Sequence, residues 1–303
     1  MKHQASNPGL DEEQAGIVRL RLDIAYDGTR FHGWARQAAA PGEETPVRTV
    51  QGELEDALSL ILRHPVELTV AGRTDAGVHA TGQVAHADVP KHALDQRSIV
   101  GEPEKLTRRL ARLLEPDLRV TAVTEAPRDF DARFSALTRT YRYRVTTNTA
   151  GPNPLRRTDT AAWTKKIDLH AVQETATALV GLNDYAAFCK PRPHATTIRD
   201  IHSFTWADVS TPEEPELYEA TITADAFCWH MVRALVATCL DVGSGARDVS
   251  WAKTLLAAHE RDPLVKLAPA NGLTLIRVDY PEAAQLGERV LVTRDRRKAK
   301  DVE

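Results

Sequence analysis

Ala71-Gly72-Arg73-Thr74-Asp75-Ala76-Gly77-Val78-His79-Ala80 is the stretch whose reading decides this chain. It sets one carboxylate, Asp75, at the tip of a loop bounded by Gly72 and Gly77. Upstream, Val66-Glu67-Leu68-Thr69-Val70 is rich in β-branched and apolar residues and reads as a strand. Downstream, Gly82-Gln83-Val84-Ala85-His86-Ala87-Asp88-Val89 reads, less cleanly, as another. Glycine allows backbone angles and close approaches that other residues resist. Loops carried on rigid strands are also where catalytic groups concentrate. An Arg and an Asp two residues apart on such a loop point to a site, although Thr-Asp-Ala-Gly is equally ordinary turn chemistry.

Working outward, Val18 to Tyr26 alternates polar and apolar residues with the period of a half-buried strand and stops at Asp27-Gly28. Thr49 to His64 carries Val50, Leu54, Leu58 and Ile61 on one helical stripe. Between them, Ala38 to Pro46 reads as a mobile loop insertion. A helix is expected from Leu106 to Leu114, stopped by Pro116, and a strand over Leu118 to Val123. Tyr141-Arg142-Tyr143-Arg144-Val145 alternates, which places both tyrosines on one sheet face and both arginines on the other. Asp168 is expected to cap a helix running to Val180, with Gly181 closing it. Leu217 to Ala224 reads as a strand, Trp229 to Leu240 as a helix closed by Gly243, and Ser250 as the cap of a helix to Ala258. The last strand is expected at Leu273 to Tyr280.

Residues 1–16 read as a disordered tail and those from 283 onward as a basic tail. The expected units between them are 17–126, carrying the Asp75 loop, and 127–282. Strands are many, yet the regular strand–helix alternation of a doubly wound fold is missing. The expectation is therefore α+β, with antiparallel or mixed sheets side by side, helices on one face and a cleft between the two parts.

At 303 residues, with 42% hydrophobic and 27% charged, the chain can bury a substantial core. No apolar run is long enough for a membrane span, and the N-terminus leads into polar, acidic residues, so no membrane and a cytoplasmic location are expected. Cys189, Cys228 and Cys239 are odd in number and lack C-x-x-C spacing. That argues against a disulfide framework and a zinc site, and Cys228 and Cys239 read as buried free thiols. The net charge of −3 does not advertise nucleic-acid binding. Clustering matters more than the total, however. Arg128, Arg133, Arg139, Arg142 and Arg144 are interleaved with Phe130, Phe134, Tyr141 and Tyr143, a mixture suited to RNA. A phosphate loop of the G-x-x-x-x-G-K-[ST] kind and an H-E-x-x-H pair are both absent from the sequence.

Several blocks, in order, resemble the tRNA pseudouridine synthase A family. They are Ala71 to His79 with Thr81-Gly82-Gln83-Val84, Phe31 to Gln37, Val50 to Glu55, Phe130 to Ala136 with Arg139 to Tyr143, Phe227 to Arg233, and Ala268 to Leu273. The resemblance spans roughly residues 18 to 281. The insertion at 38–46 and both tails depart from it without touching a matched motif, which affects only the details of RNA contact.

The resemblance implies isomerisation of uridine to pseudouridine at positions 38, 39 and 40 of the tRNA anticodon stem-loop, by a homodimer and without cofactor or metal. It implies that Asp75 is the nucleophile or base, that Arg233 is its cationic partner, and that Tyr141 packs against the uracil. Arg73 would fill the space of the extruded nucleotide, since chemistry on a stacked base requires flipping it out. Thr74, His79, Arg36, Gln37, Arg133, Arg142 and His230 are the implied RNA contacts. A carboxylate in an RNA-filled pocket is opposed by desolvation and favoured by a nearby cation, and an Arg–carboxylate pair is typically bidentate and short. Taken on its residues alone, Arg233 could equally be a surface helix residue, while Tyr143 reads as a sheet-core aromatic. A non-catalytic RNA-binding module of the same fold and a phosphate-binding enzyme remain the alternatives.

Overall fold

The computed structural model describes residues 16–39, 46–193 and 195–294. Residues 1–15 of the expected tail, 40–45 of the insertion and 295–303 of the basic end lie outside them. The architecture is α+β. Among the described residues a ten-stranded, mostly antiparallel sheet has, along its main path, the order β4 (Leu118–Ala126), β1 (Ile17–Tyr26), β3 (His79–Pro90), β10 (Leu273–Asp279), β5 (Thr138–Thr146), β9 (Leu217–Ala224), β8 (Ile198–Asp208), β7 (Gly181–Asp184).

The first half begins with β1 (Ile17–Tyr26), where Leu20, Leu22, Ile24 and Tyr26 point inward and Arg19, Arg21 and Asp23 outward. Its neighbours are β3 (His79–Pro90) and β4 (Leu118–Ala126), both antiparallel. Strand β3 lies inside the sheet with most residues buried, so strict alternation disappears from its sequence. Helix α1 (Val50–Leu62) is capped by Thr49 Oγ1, which accepts from the Gly52 N–H at 3.2 Å. Helix α2 (Lys105–Leu113) packs on β4. The strand expected over Val66 to Val70 shrinks to β2 (Thr69–Val70), which pairs with β3. The Leu68 N–H is taken instead by the Glu55 carboxylate at 2.9 Å, so no ladder forms there.

In the second half, β5 (Thr138–Thr146) buries Tyr141 and Tyr143 while Arg142 and Arg144 stay half-exposed, as the alternation requires. Its antiparallel neighbour is β9 (Leu217–Ala224), and a two-residue parallel strand, β6 (Ala161–Ala162), lies off the main path. Helix α3 (Leu169–Ala178) starts at Asp168, whose carboxylate accepts from the His170 and Ala171 N–H groups. It packs against β8 (Ile198–Asp208) and α4 (Met231–Gly243). Strand β7 (Gly181–Asp184) closes this edge.

The last strand, β10 (Leu273–Asp279), joins the halves. It runs parallel to β3 (Leu275 beside Ala80) and antiparallel to β5 (Leu275 beside Tyr141). The close approach to β3 depends on Gly82, where a Cβ would lie 2.2 Å from the Ile276 carbonyl oxygen.

Four expectations need correction. Cys228 is not a free thiol. The fold brings its Cα within 5.7 Å of that of Cys189, inside the range a disulfide spans, and the two are bonded. Cys239 is free and buried. Helix α4 starts at Met231 rather than Trp229, because His230 adopts a left-handed φ of 72°. Ser250 is not the cap of helix α5 (Ser250–Leu256) but its first residue, with Val249 at the cap position and the Ser250 N–H donating to the Asp248 carboxylate at 2.9 Å. The region from 283 onward is not wholly tail, since α6 (Leu286–Arg294) forms there and buries Leu286.

His86, on β3, accepts the Ala132 N–H at Nδ1 (3.0 Å) and sits edge-on to Phe130. Burial, with Arg19 adding, pushes its imidazole below the usual 6.5. As pH falls, the unfolded chain takes up this proton before the folded one does. The stability it contributes is complete above pH 6.5 and is lost as pH drops through the lower folded value. Urea midpoints at pH 7.5 and 5.5 should therefore fall less in His86→Gln than in the parent protein; equal falls would exclude His86 as a source of acid sensitivity.

Candidate active site

Asp75 sits on the connection between β2 and β3, and hydrogen bonds from several segments hold that connection. The Trp34 N–H donates to the Thr74 carbonyl (3.0 Å), Gly77 N–H to Phe31 (3.3 Å) and Ala71 N–H to Val84 (2.8 Å). Gln83 donates to the Gly72 carbonyl at 2.8 Å, and the Tyr26 and Thr74 hydroxyls share a bond of 2.7 Å. Burial pushes the Tyr26 phenol up to about 12, so it remains a neutral partner in this network. Gly33, at φ 90°, has the Thr74 carbonyl oxygen 2.9 Å from where a Cβ would stand. Gly77 also has positive φ, whereas Gly72 is in open surroundings.

Arg139 anchors this loop to the second half. Its guanidinium is buried and donates to the carbonyls of Ala71 (2.9 Å), Arg133 (2.7 Å) and Asp225 (2.7 Å). Two residues past Asp225, Phe227 begins the segment that runs through Trp229 and His230 into α4.

That segment meets Asp75. Trp229 Nε1–H donates to Oδ1 at 2.9 Å. On the other oxygen, Oδ2, His230 Nε2 approaches to 3.7 Å and Arg233 Nη1 to 3.8 Å. The carboxylate is 25% exposed, so it is open to a ligand yet partly withdrawn from water. Arg233 does not form the bidentate pair expected from its residue type. Its Nε donates to the Ala268 carbonyl at 2.7 Å, and Trp229 already occupies Oδ1, leaving one side-on approach. Burial lowers the His230 imidazole from its ordinary value; Asp75 opposes the shift, while Arg233 and Lys190 reinforce it.

Tyr141 is buried on β5, with its ring edge-on to Phe227 at 5.2 Å between centroids. Burial raises its phenol, and the charge of Asp75 adds to the rise. Tyr143 is a core residue donating to the Pro269 carbonyl at 3.0 Å. Arg73 is exposed and makes no hydrogen bond or ion pair among the described residues. Arg133 is also exposed and lies 5.1 Å from the Phe134 ring.

The remaining nominated residues are engaged within the fold. Arg36 is bound to Glu55, Asp56 and the Gly52 carbonyl. Arg142 faces Glu219 at 3.8 Å. Gln37 is exposed and donates to the His32 carbonyl. Thr74 is buried. His79, also buried, accepts the Gly28 N–H at Nδ1 (2.9 Å), which leaves Nε2–H to donate to the Asn271 carbonyl (3.2 Å). Its ring therefore links β3 to the turn before β10.

Trp229 escaped the sequence reading, as did Lys190 and Arg192, which face its ring at 4.0 Å and 4.3 Å. Trp229 reads as the first apolar residue of a helix, and nothing in its neighbourhood marks the left-handed turn at His230.

The chain matches a family described as tRNA pseudouridine synthase over residues 24–135 and 175–281. It is 58% identical to tRNA pseudouridine synthase A of Corynebacterium glutamicum, covering 91% of this chain and 94% of the relative. The protein of that name from Frankia casuarinae is 49% identical, with 92% and 95% covered, and that from Mycobacterium leprae 47%, with 96% and 98%.

The Gly33 geometry makes a direct demand on the Asp75 loop. Gly33→Ala introduces left-handed backbone strain of roughly 1–2 kcal/mol and a contact that pushes the Thr74 carbonyl away. Thermal melting should drop by several degrees, with a disproportionate loss of whatever activity Asp75 supports. A variant with parental melting and activity would show that the loop does not rely on this contact.

Proposed function

The chain belongs to the tRNA pseudouridine synthase family, and from that premise we propose that it isomerises uridine to pseudouridine in tRNA with Asp75 as nucleophile or base. A quarter-exposed carboxylate on a braced loop, with the α4 arginine at 3.8 Å, carries this reading. The reaction breaks the bond between uracil N1 and the ribose anomeric carbon and forms one from uracil C5 to the same carbon. A proton leaves C5 and one is gained at N1, so atoms and electrons balance without oxidant, reductant or donor group. No cofactor or metal enters the proposal. A carboxylate placed at the sugar can divide such a step into easier ones.

Residues 17–126 contribute the Asp75 loop and residues 127–282 contribute Tyr141, His230 and Arg233, so we read the site as lying between these two units. Tyr141 offers its ring to the uracil, and Arg233 sets a positive charge beside the carboxylate. Arg73, exposed and unpaired among the described residues, is placed to enter the space that a flipped nucleotide leaves. Arg133 offers a further exposed cation to the RNA. Positions 38, 39 and 40 of the anticodon stem-loop are the proposed targets. Choice among neighbouring uridines fits recognition by shape and backbone more than by base edges. A homodimer in the cytoplasm is the proposed setting, and among the described residues no helix is long and apolar enough to cross a membrane.

Asp75→Asn should lower pseudouridine formation on the order of 10³-fold or more. tRNA binding should be retained, because phosphate contacts supply most affinity. Retained activity would favour a different role for this loop, and joint loss of binding and folding would leave the catalytic assignment without support. Arg233→Lys should slow turnover roughly tenfold, since lysine has no planar guanidinium to span both Ala268 and Asp75. Unchanged turnover would remove Arg233 from the site. Mapping pseudouridine in tRNA from cells with and without the gene tests the target positions.

A further inference from the structure

Trp229 makes the single hydrogen bond to the Asp75 side chain among the described residues. Indole Nε1–H can only donate, so the polarity of this contact is unambiguous, and Oδ1 accepts. The two bonded residues lie 154 positions apart in the chain, and the tryptophan is half-exposed. An aromatic side chain used for packing alone would not aim its polar atom at a carboxylate across the joint between two halves of the molecule.

The environment of the ring is equally specific. Lys190 Nζ stands 4.0 Å and Arg192 Cζ 4.3 Å from it, within the range of cation–π attraction. The Lys190 N–H donates to the Trp229 carbonyl at 2.8 Å, and the Cys189–Cys228 bond joins the preceding residues. The indole is thus held both by its backbone and by its faces.

We propose that Trp229 is a positioning residue, whose indole N–H engages Oδ1 of Asp75 and so fixes which carboxylate oxygen, Oδ2, is presented to the nucleoside. This rests on Asp75 being the catalytic carboxylate. Oδ2 has His230 Nε2 at 3.7 Å and Arg233 Nη1 at 3.8 Å, both beyond ordinary hydrogen-bond length, and so keeps lone pairs available to substrate. A neutral donor restrains the rotation of the carboxylate without adding a second full charge. Arg233 Nη1 is a permanent cation beside Oδ2, while burial lowers the His230 imidazole from its ordinary value.

The test compares Trp229→Phe, which keeps a ring for the two cations, with Trp229→3-benzothienylalanine, which replaces the N–H by sulfur and preserves the ring shape. Asp75→Asn is assayed in parallel. Single-turnover pseudouridine formation should fall about 10- to 100-fold in both Trp229 variants, the range for losing a hydrogen bond to a charged group. The tRNA dissociation constant should stay within about twofold, because phosphate contacts supply most affinity and both variants keep a ring for Lys190 and Arg192 to face. Parental rates in the two Trp229 variants beside an inactive Asp75→Asn would overturn the positioning role and leave the Asp75 reading intact. An active Asp75→Asn would sink that reading itself. Weakened tRNA binding at an unchanged single-turnover rate would make Trp229 an RNA contact and likewise overturn the proposal.

Discussion

The buried guanidinium of Arg139 is the constraint on which the arrangement around Asp75 depends. Taking a full charge out of water is costly unless its donors are satisfied. Here they are satisfied by three backbone carbonyls, from Ala71, Arg133 and Asp225, rather than by a carboxylate. Burial drives the guanidinium pKa down, yet arginine remains charged at any pH the protein meets. The side chain therefore cannot relieve its demand by losing a proton. It has to be met by holding those carbonyls in place, one leading into the Asp75 loop and another into the segment that ends in Trp229 and His230.

Fixing two loops to one side chain gives the carboxylate an asymmetric environment. One oxygen is held by a short bond from a neutral indole, and the other looks toward a histidine and an arginine that stop short of hydrogen bonding. An isomerisation with no external reactant asks for this kind of restraint. A carboxylate that engages substrate through one oxygen has to be oriented without being saturated, because any donor bound to that oxygen would first have to be displaced. Arg233 contributes charge from a position fixed by Ala268, so its reach does not depend on the carboxylate it faces.

The sheet supports the same geometry at larger scale. Strand β10 comes near the end of the chain but pairs with β3 on one side and β5 on the other, closing the joint only when most of the chain is present. His79 reinforces this joint by bonding Gly28 on one side and Asn271 on the other. The family resemblance implies an RNA contact at this residue, and in the fold its two ring nitrogens bond Gly28 and Asn271.

Local chemistry was enough to reveal the alternation of β1 and β5, the strand at β9, the cap at Asp168, and the glycine-bounded loop that carries Asp75, since each depends on residues within one or two turns of one another. Long-range geometry decided the rest. Strand β8 went unseen because a register shift between Ile201 and Ser203 breaks the alternation that would have marked it. Residues 66–68 lost their ladder to the Glu55 side chain, and Cys189 found Cys228 across 39 residues. Asp75 and Arg233 could be nominated from sequence as neighbours, but the indole bonded to Asp75 could not. A hydrogen bond linking residues 75 and 229 leaves no periodic trace in either segment and exists only once Arg139 and β10 have brought the two halves together.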